Sequence, residues 1–262
     1  MSQKIFILFL DIIMFFHCIM YSTNPDDGKK NPDRFGYKNW TPFVHNNTEV
    51  YFIERLNPLH VLAVNSFQRP IDIDYGYFQF ERKNAVIKRV SLTKRQETFW
   101  SRWGELRGGS ASRLINSNEY LTFFHTTTLL PKSQRTTYFI GALTFSSSAP
   151  FVIKRISAVP LMHPSFYTGE WMRQRFDYCY YSQAFVFSYY DAKRQSTMYS
   201  NDYPFALQNS NNCGPGHALK DVNISLSYGY QDKESFIAEI SLCELIDSMV
   251  HVKIEQHELF SS

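Results

Sequence analysis

The sequence predicts an all-β protein, and three observations carry that prediction. Phe and Tyr number 23 and 17 among 262 residues, and Thr and Val recur in short runs, the mixture that packs well on a pleated surface. Apolar residues alternate or cluster over short stretches that stop at Gly, Pro, Asn or Asp, whereas the 3.6-residue periodicity of long amphipathic helices is scarce. The short strands fall into groups of about four with no helices between them, which favours radial repetition in a β-propeller over a sandwich.

Each segment contributes in turn. "KIFILFLDIIMFFHCIMYS" opens the chain and has two readings. As structure, residues 4–10 and 12–20 are two buried strands turning at Asp11, an apolar hairpin over residues 1–22 that the resemblance given below implies belongs to an early blade, and the protein is then cytoplasmic. As targeting, the same run is a signal peptide or anchor, and the protein is secreted or membrane-anchored. A bilayer span needs about 20 apolar residues, and Asp11 at its middle would cost a few kcal/mol. Residues 23–36 form a polar linker, and residues 37–252 the blades. Strands are expected at 41–44, 49–55 and 60–64, with a turn at His45-Asn46-Asn47 and a break at Asn57-Pro58. A charged pair follows around Arg82-Lys83-Asn84.

The next group is predicted at 111–115 and 120–126, with "TTYFIGALTFS" and "FVIKRISAV" after it. "YCYYSQAFVFSYYD" pairs across a polar insertion with "VNISLSYGY". "SFIAEIS" is followed by a short amphipathic close at 243–249, and residues 253–262 are a polar tail.

The chain is 44% hydrophobic, enough for one sizeable core. Its net charge is +3 with basic residues spread along the chain, which argues against a nucleic-acid surface. Cys18, Cys179, Cys213 and Cys243 lack metal-ligand spacing, so no metal site is expected. They form one or two disulfides if the chain is secreted and buried thiols otherwise. Two glycosylation triplets, Asn46-Asn47-Thr48 and Asn223-Ile224-Ser225, matter only in a secretory compartment.

Four blocks, "KNWTPF", "RGGSASRLINSNEYLTFFHTTT", "TYFIGALTFSSSAPFVIKRIS" and "LSYGYQDKESFIAEISLCELIDSMV", occur in this order. Together they resemble the β-mannoside phosphorylases and mannosyltransferase-like proteins of glycoside hydrolase family 130, over roughly residues 36 to 252. The resemblance implies a five-bladed β-propeller, incomplete here, with the first blade and part of the second missing. It implies phosphorolysis or transfer of β-linked mannosyl units, with inorganic phosphate or a sugar phosphate as co-substrate and no other cofactor.

On that resemblance Arg107, Arg113, His125 and Tyr138 hold phosphate, with Gly108 and Gly109 leaving room for close approach. Lys38, Asn39 and Asp232 hold the sugar. The family's acid, the aspartate of a Glu-Asp-x-Arg motif, falls where Ser2 stands, with Lys4 in place of the arginine. No catalytic residue is assigned, and neither Asp11, Glu105 nor Asp177 is promoted to the role. The alternatives are a non-catalytic carbohydrate- or phosphate-binding propeller fragment and a secreted or anchored β-protein with an interaction role. An incomplete propeller also has open sheet edges, which invite self-association. Taken singly, Arg107 is as readily a blade-locking arginine, His125 a satisfied strand histidine, Lys38 a solvated residue and Asp232 a turn residue.

Overall fold

The computed structural model describes residues 39–46, 48–56, 59–68, 77–82, 106–129, 136–162, 176–178, 180–191, 194–200, 213, 222–230 and 234–252. These form three antiparallel-dominated sheets and one short helix. The predicted N-terminal hairpin, the linker and the C-terminal tail lie outside the described residues.

The first sheet is a four-stranded meander of β1 (Thr41–His45), β2 (Glu49–Leu56), β3 (Leu59–Gln68) and β4 (Tyr77–Arg82). Its first turn falls where expected, at Asn46; the expected break at Asn57-Pro58 lies outside the described residues. The second sheet begins with β5 (Leu106–Gly108) and β6 (Arg113–Asn116), which both lie along β7 (Glu119–Leu129). β7 pairs without interruption with β8 (Thr136–Ser146), from Glu119 opposite Ser146 to Leu129 opposite Thr136. β9 (Ile153–Ser157) and the parallel β10 (Phe176–Tyr178) occupy the other edge of β8. The third sheet orders β12 (Ser196–Ser200), β11 (Tyr180–Asp191), β13 (Val222–Tyr230) and β14 (Glu234–Ser241). Pairing of "YCYYSQAFVFSYYD" with "VNISLSYGY" is thus observed, from Tyr180 opposite Tyr230 to Tyr189 opposite Val222.

After β14 comes α1 (Leu242–Ser248), then β15 (Met249–His251), which returns to β9 in the second sheet. Ser241 caps α1 by accepting a hydrogen bond from Glu244 N at 3.3 Å. The string Ser-Leu-Cys-Glu has the spacing of a capping box, and its serine half is formed. Among the described residues no helix is long and apolar enough to cross a membrane.

The sheets stack because β7 and β8 bury both faces. Tyr120 and Phe124 of β7 and Leu143 and Phe145 of β8 join Phe43, Tyr51, Ile53 and Val61 in a core against the first sheet. Leu121, Phe123, Ile140 and Ala142 point the opposite way and meet Phe185, Phe187, Ile224 and Leu226 of the third sheet. Alternation along a strand with apolar residues at both parities is what a strand covered on both sides requires. Phe43 is the aromatic hub of the first interface, 4.9 Å from Tyr120 and 5.4 Å from Phe145 between ring centroids. The Tyr120 hydroxyl donates to Val44 O at 2.7 Å, so a hydrogen bond fixes the same contact. Across the second interface Phe123 meets Phe185 edge-on at 5.1 Å. Each such ring pair adds about 0.5–1.5 kcal/mol beyond area burial.

Cys213 and Cys243 form a disulfide with Cα atoms 5.3 Å apart. The choice between disulfide and thiol, open in the sequence, is settled for this pair; Cys18 and Cys179 lie outside the described residues. The bond ties Cys213 to the first turn of α1.

Candidate functional site

The "RGG" segment acquires its shape from a short strand that ends abruptly. β5 pairs with β7 for three residues, placing Leu106 opposite Thr126, Arg107 opposite His125 and Gly108 opposite Phe124. The chain then stops following β7. Gly109 N and Ser110 N both donate to Phe123 O, at 3.1 and 3.3 Å. Ser110 Oγ accepts from Phe123 N at 3.0 Å, and Thr122 Oγ1 donates to Ser110 O at 3.0 Å. These bonds satisfy backbone groups that a broken ladder would otherwise strand in the core.

Gly108 is required by proximity. A Cβ there would collide with the carbonyl oxygen of Asn39 and the hydroxyl of Thr41. Asn39 itself holds φ 71°, a left-handed conformation that Asn tolerates better than most residues. The contact brings the backbone of Asn39, one of the expected sugar ligands, against the strand that carries Arg107. Lys38, its expected companion, and Asp232 lie outside the described residues, as does Glu105. Asp177 falls within β10.

His125 and Arg107 are direct cross-strand partners, so their side chains leave the sheet on one face. Tyr138 lies on the same face, opposite Thr127. Its ring stacks on the imidazole with centroids 5.8 Å apart and planes 26° from parallel. His125 is 7% exposed, while Arg107 and Tyr138 are half-buried. Burial first, and the Arg107 guanidinium second, push the His125 pKa down to about 4. At neutral pH the imidazole is therefore uncharged, with one N–H to donate and one lone pair to accept. A guanidinium, an imidazole and a phenol thus share one face of the second sheet.

Arg113 does not join them. It sits opposite Leu121, four strand positions from His125, or on the order of 13 Å. Its Nε donates to Phe185 O at 2.9 Å, and its guanidinium carbon lies 5.8 Å from the Phe185 ring centroid. Those contacts fasten the second sheet to the third.

Other groups that matter here carried no motif. Gly141 stands opposite Phe124, and a Cβ at 141 would strike the Phe124 ring, which is fully buried. Glu119 binds Lys154 at 3.8 Å and Arg155 at 3.6 Å, tying β9 to the start of β7. Among the described residues no three His, Cys, Asp or Glu side chains gather as a metal would need.

In comparisons with known proteins, no family model, curated protein or solved structure matches this chain.

Proposed function

We propose that the chain is a carbohydrate-active β-propeller protein that binds a phosphate or sugar-phosphate group at Arg107, His125 and Tyr138, beside a mannoside-type sugar. The observation that carries this reading is the direct pairing of Arg107 with His125 under the Tyr138 ring. Three face-packed sheets are what consecutive blades supply, which supports the propeller. Asn39, Lys38 and Asp232 are the proposed sugar contacts; Asn39 lies beside Gly108, on the face of the second sheet opposite to that of Arg107 and His125.

Mannosyl phosphorolysis is the activity that the family resemblance implies. Binding is what these groups support by themselves, since a charged fork and two neutral donors hold an anion without moving a proton to a leaving group. Loss of a general acid lowers a rate by about 10²- to 10⁴-fold while leaving binding intact.

Calorimetry with inorganic phosphate, mannose 1-phosphate and a β-mannoside tests the reading. Saturable phosphate binding is expected, weakened about tenfold or more in Arg107→Ala, because a charged hydrogen bond is worth about 1.5–3 kcal/mol. Absence of phosphate and mannoside binding, or equal phosphate affinity in Arg107→Ala, would overturn it. Incubation of phosphate with a β-mannoside, followed for mannose 1-phosphate, separates turnover from binding.

A further inference from the structure

The two Asn-x-Ser/Thr triplets differ in their backbone setting. Asn46 is exposed at the tip of the β1–β2 hairpin, in a left-handed conformation with φ 49°. Thr48 is exposed beside it; its N donates to His45 O at 3.2 Å and its Oγ1 to Asn46 O at 3.3 Å. The turn therefore brings the hydroxyl of the third residue back to the asparagine, with both at the surface.

The Asn223 side chain is also exposed, but its backbone lies within β13, paired to Ser188 on one side and Ser241 on the other. The hydroxyl of its third residue, Ser225, is buried and hydrogen-bonded to Glu239. A transferase can engage a surface turn, but it must open two strand pairings to reach an inner strand.

We propose that Asn46 is an N-glycosylation site and that Asn223 is left unmodified. In the reaction the Asn46 amide nitrogen forms a bond to the anomeric carbon of a lipid-linked oligosaccharide. The carbon–oxygen bond to the lipid pyrophosphate breaks, the pyrophosphate leaves with the electron pair, and the amide proton passes to a base. The sugar is held by a C–N bond, and no oxidant or reductant is involved. The Cys213–Cys243 disulfide agrees with this setting, because such bonds persist in oxidising, secretory compartments.

The site lies apart from the proposed anion-binding residues. β1 runs from Thr41, which abuts Gly108, to the turn at Asn46, a distance on the order of 15 Å. A bulky, hydrated glycan at the hairpin tip leaves the Arg107 end open.

The test expresses the full chain in a eukaryotic secretory host and measures its mass before and after an endoglycosidase that converts glycosylated Asn to Asp. Peptide mapping reads residue 46 and the Cys213–Cys243 bond in the same sample. One mass shift and Asp at 46 are expected, both lost in Asn46→Gln and in Thr48→Ala, kept in Thr48→Ser and unchanged in Asn223→Gln. An unmodified Asn46 in a chain whose cysteines are oxidised overturns the proposal. So does recovery of the chain with neither glycan nor disulfide, or a shift that vanishes in Asn223→Gln alone.

Discussion

Two arginines six positions apart take different work. Arg107 is half-buried beside His125, whereas Arg113 spends its Nε on a carbonyl of the neighbouring sheet. Arg113→Ala should lower stability by about 1–3 kcal/mol, since it removes a charged hydrogen bond and a cation–π contact. Arg107→Ala should weaken phosphate binding by about tenfold or more. Equal destabilisation by the two would mean that Arg107 is also a lock between elements.

His125 makes a pH signature. Its folded pKa of about 4 lies below the ordinary 6.5, so the unfolded chain takes up the proton first. Stability is complete above pH 6.5 and falls as pH drops toward 4, by an amount on the order of 3 kcal/mol. Urea unfolding followed across that window, against His125→Gln, checks it: the substitution should flatten this part of the profile. That Arg107, His125 and Tyr138 share one face follows from pairing between strands neighbouring in sequence and is legible there; the bond of Arg113 to Phe185, 72 residues away, is not.

At the level of elements, the strands were legible where turn chemistry bounded them. "VNISLSYGY" is β13 to the residue, and the turn at Asn46 separates β1 from β2. The short β5, β10, β12 and β15 were missed, since three to five residues carry too little pattern to rise above a loop.

Close approach was legible only as a Gly-Gly pair. Gly108→Ala should cost about 1–3 kcal/mol, as overpacking against backbone does, and should also weaken phosphate binding by shifting Arg107. Thermal unfolding and calorimetry on the same variant read the two effects. The disulfide closes a separation of 30 residues. Reduction should therefore destabilise the fold by on the order of 3–4 kcal/mol, read as a lower melting temperature under reducing conditions.

For the whole molecule, the two buried faces of the second sheet organise everything else. That sheet reads as nearly continuous apolarity, so the sequence shows that it is covered but not by what; the partners lie in segments far away along the chain. Ile237 and Tyr199 on the third sheet are 71% and 65% exposed, and an outer face of this kind favours self-association. Sedimentation at rising concentration should show association that Ile237→Lys reduces; a concentration-independent monomer would contradict it. The central claim is that the second sheet presents Arg107, His125 and Tyr138 to an anion. It is tested most directly by NMR titration of the His125 imidazole with and without inorganic phosphate. The account predicts that phosphate raises the pKa from about 4 and that Arg107→Ala abolishes the phosphate-induced rise. A His125 pKa that does not respond to phosphate would contradict it.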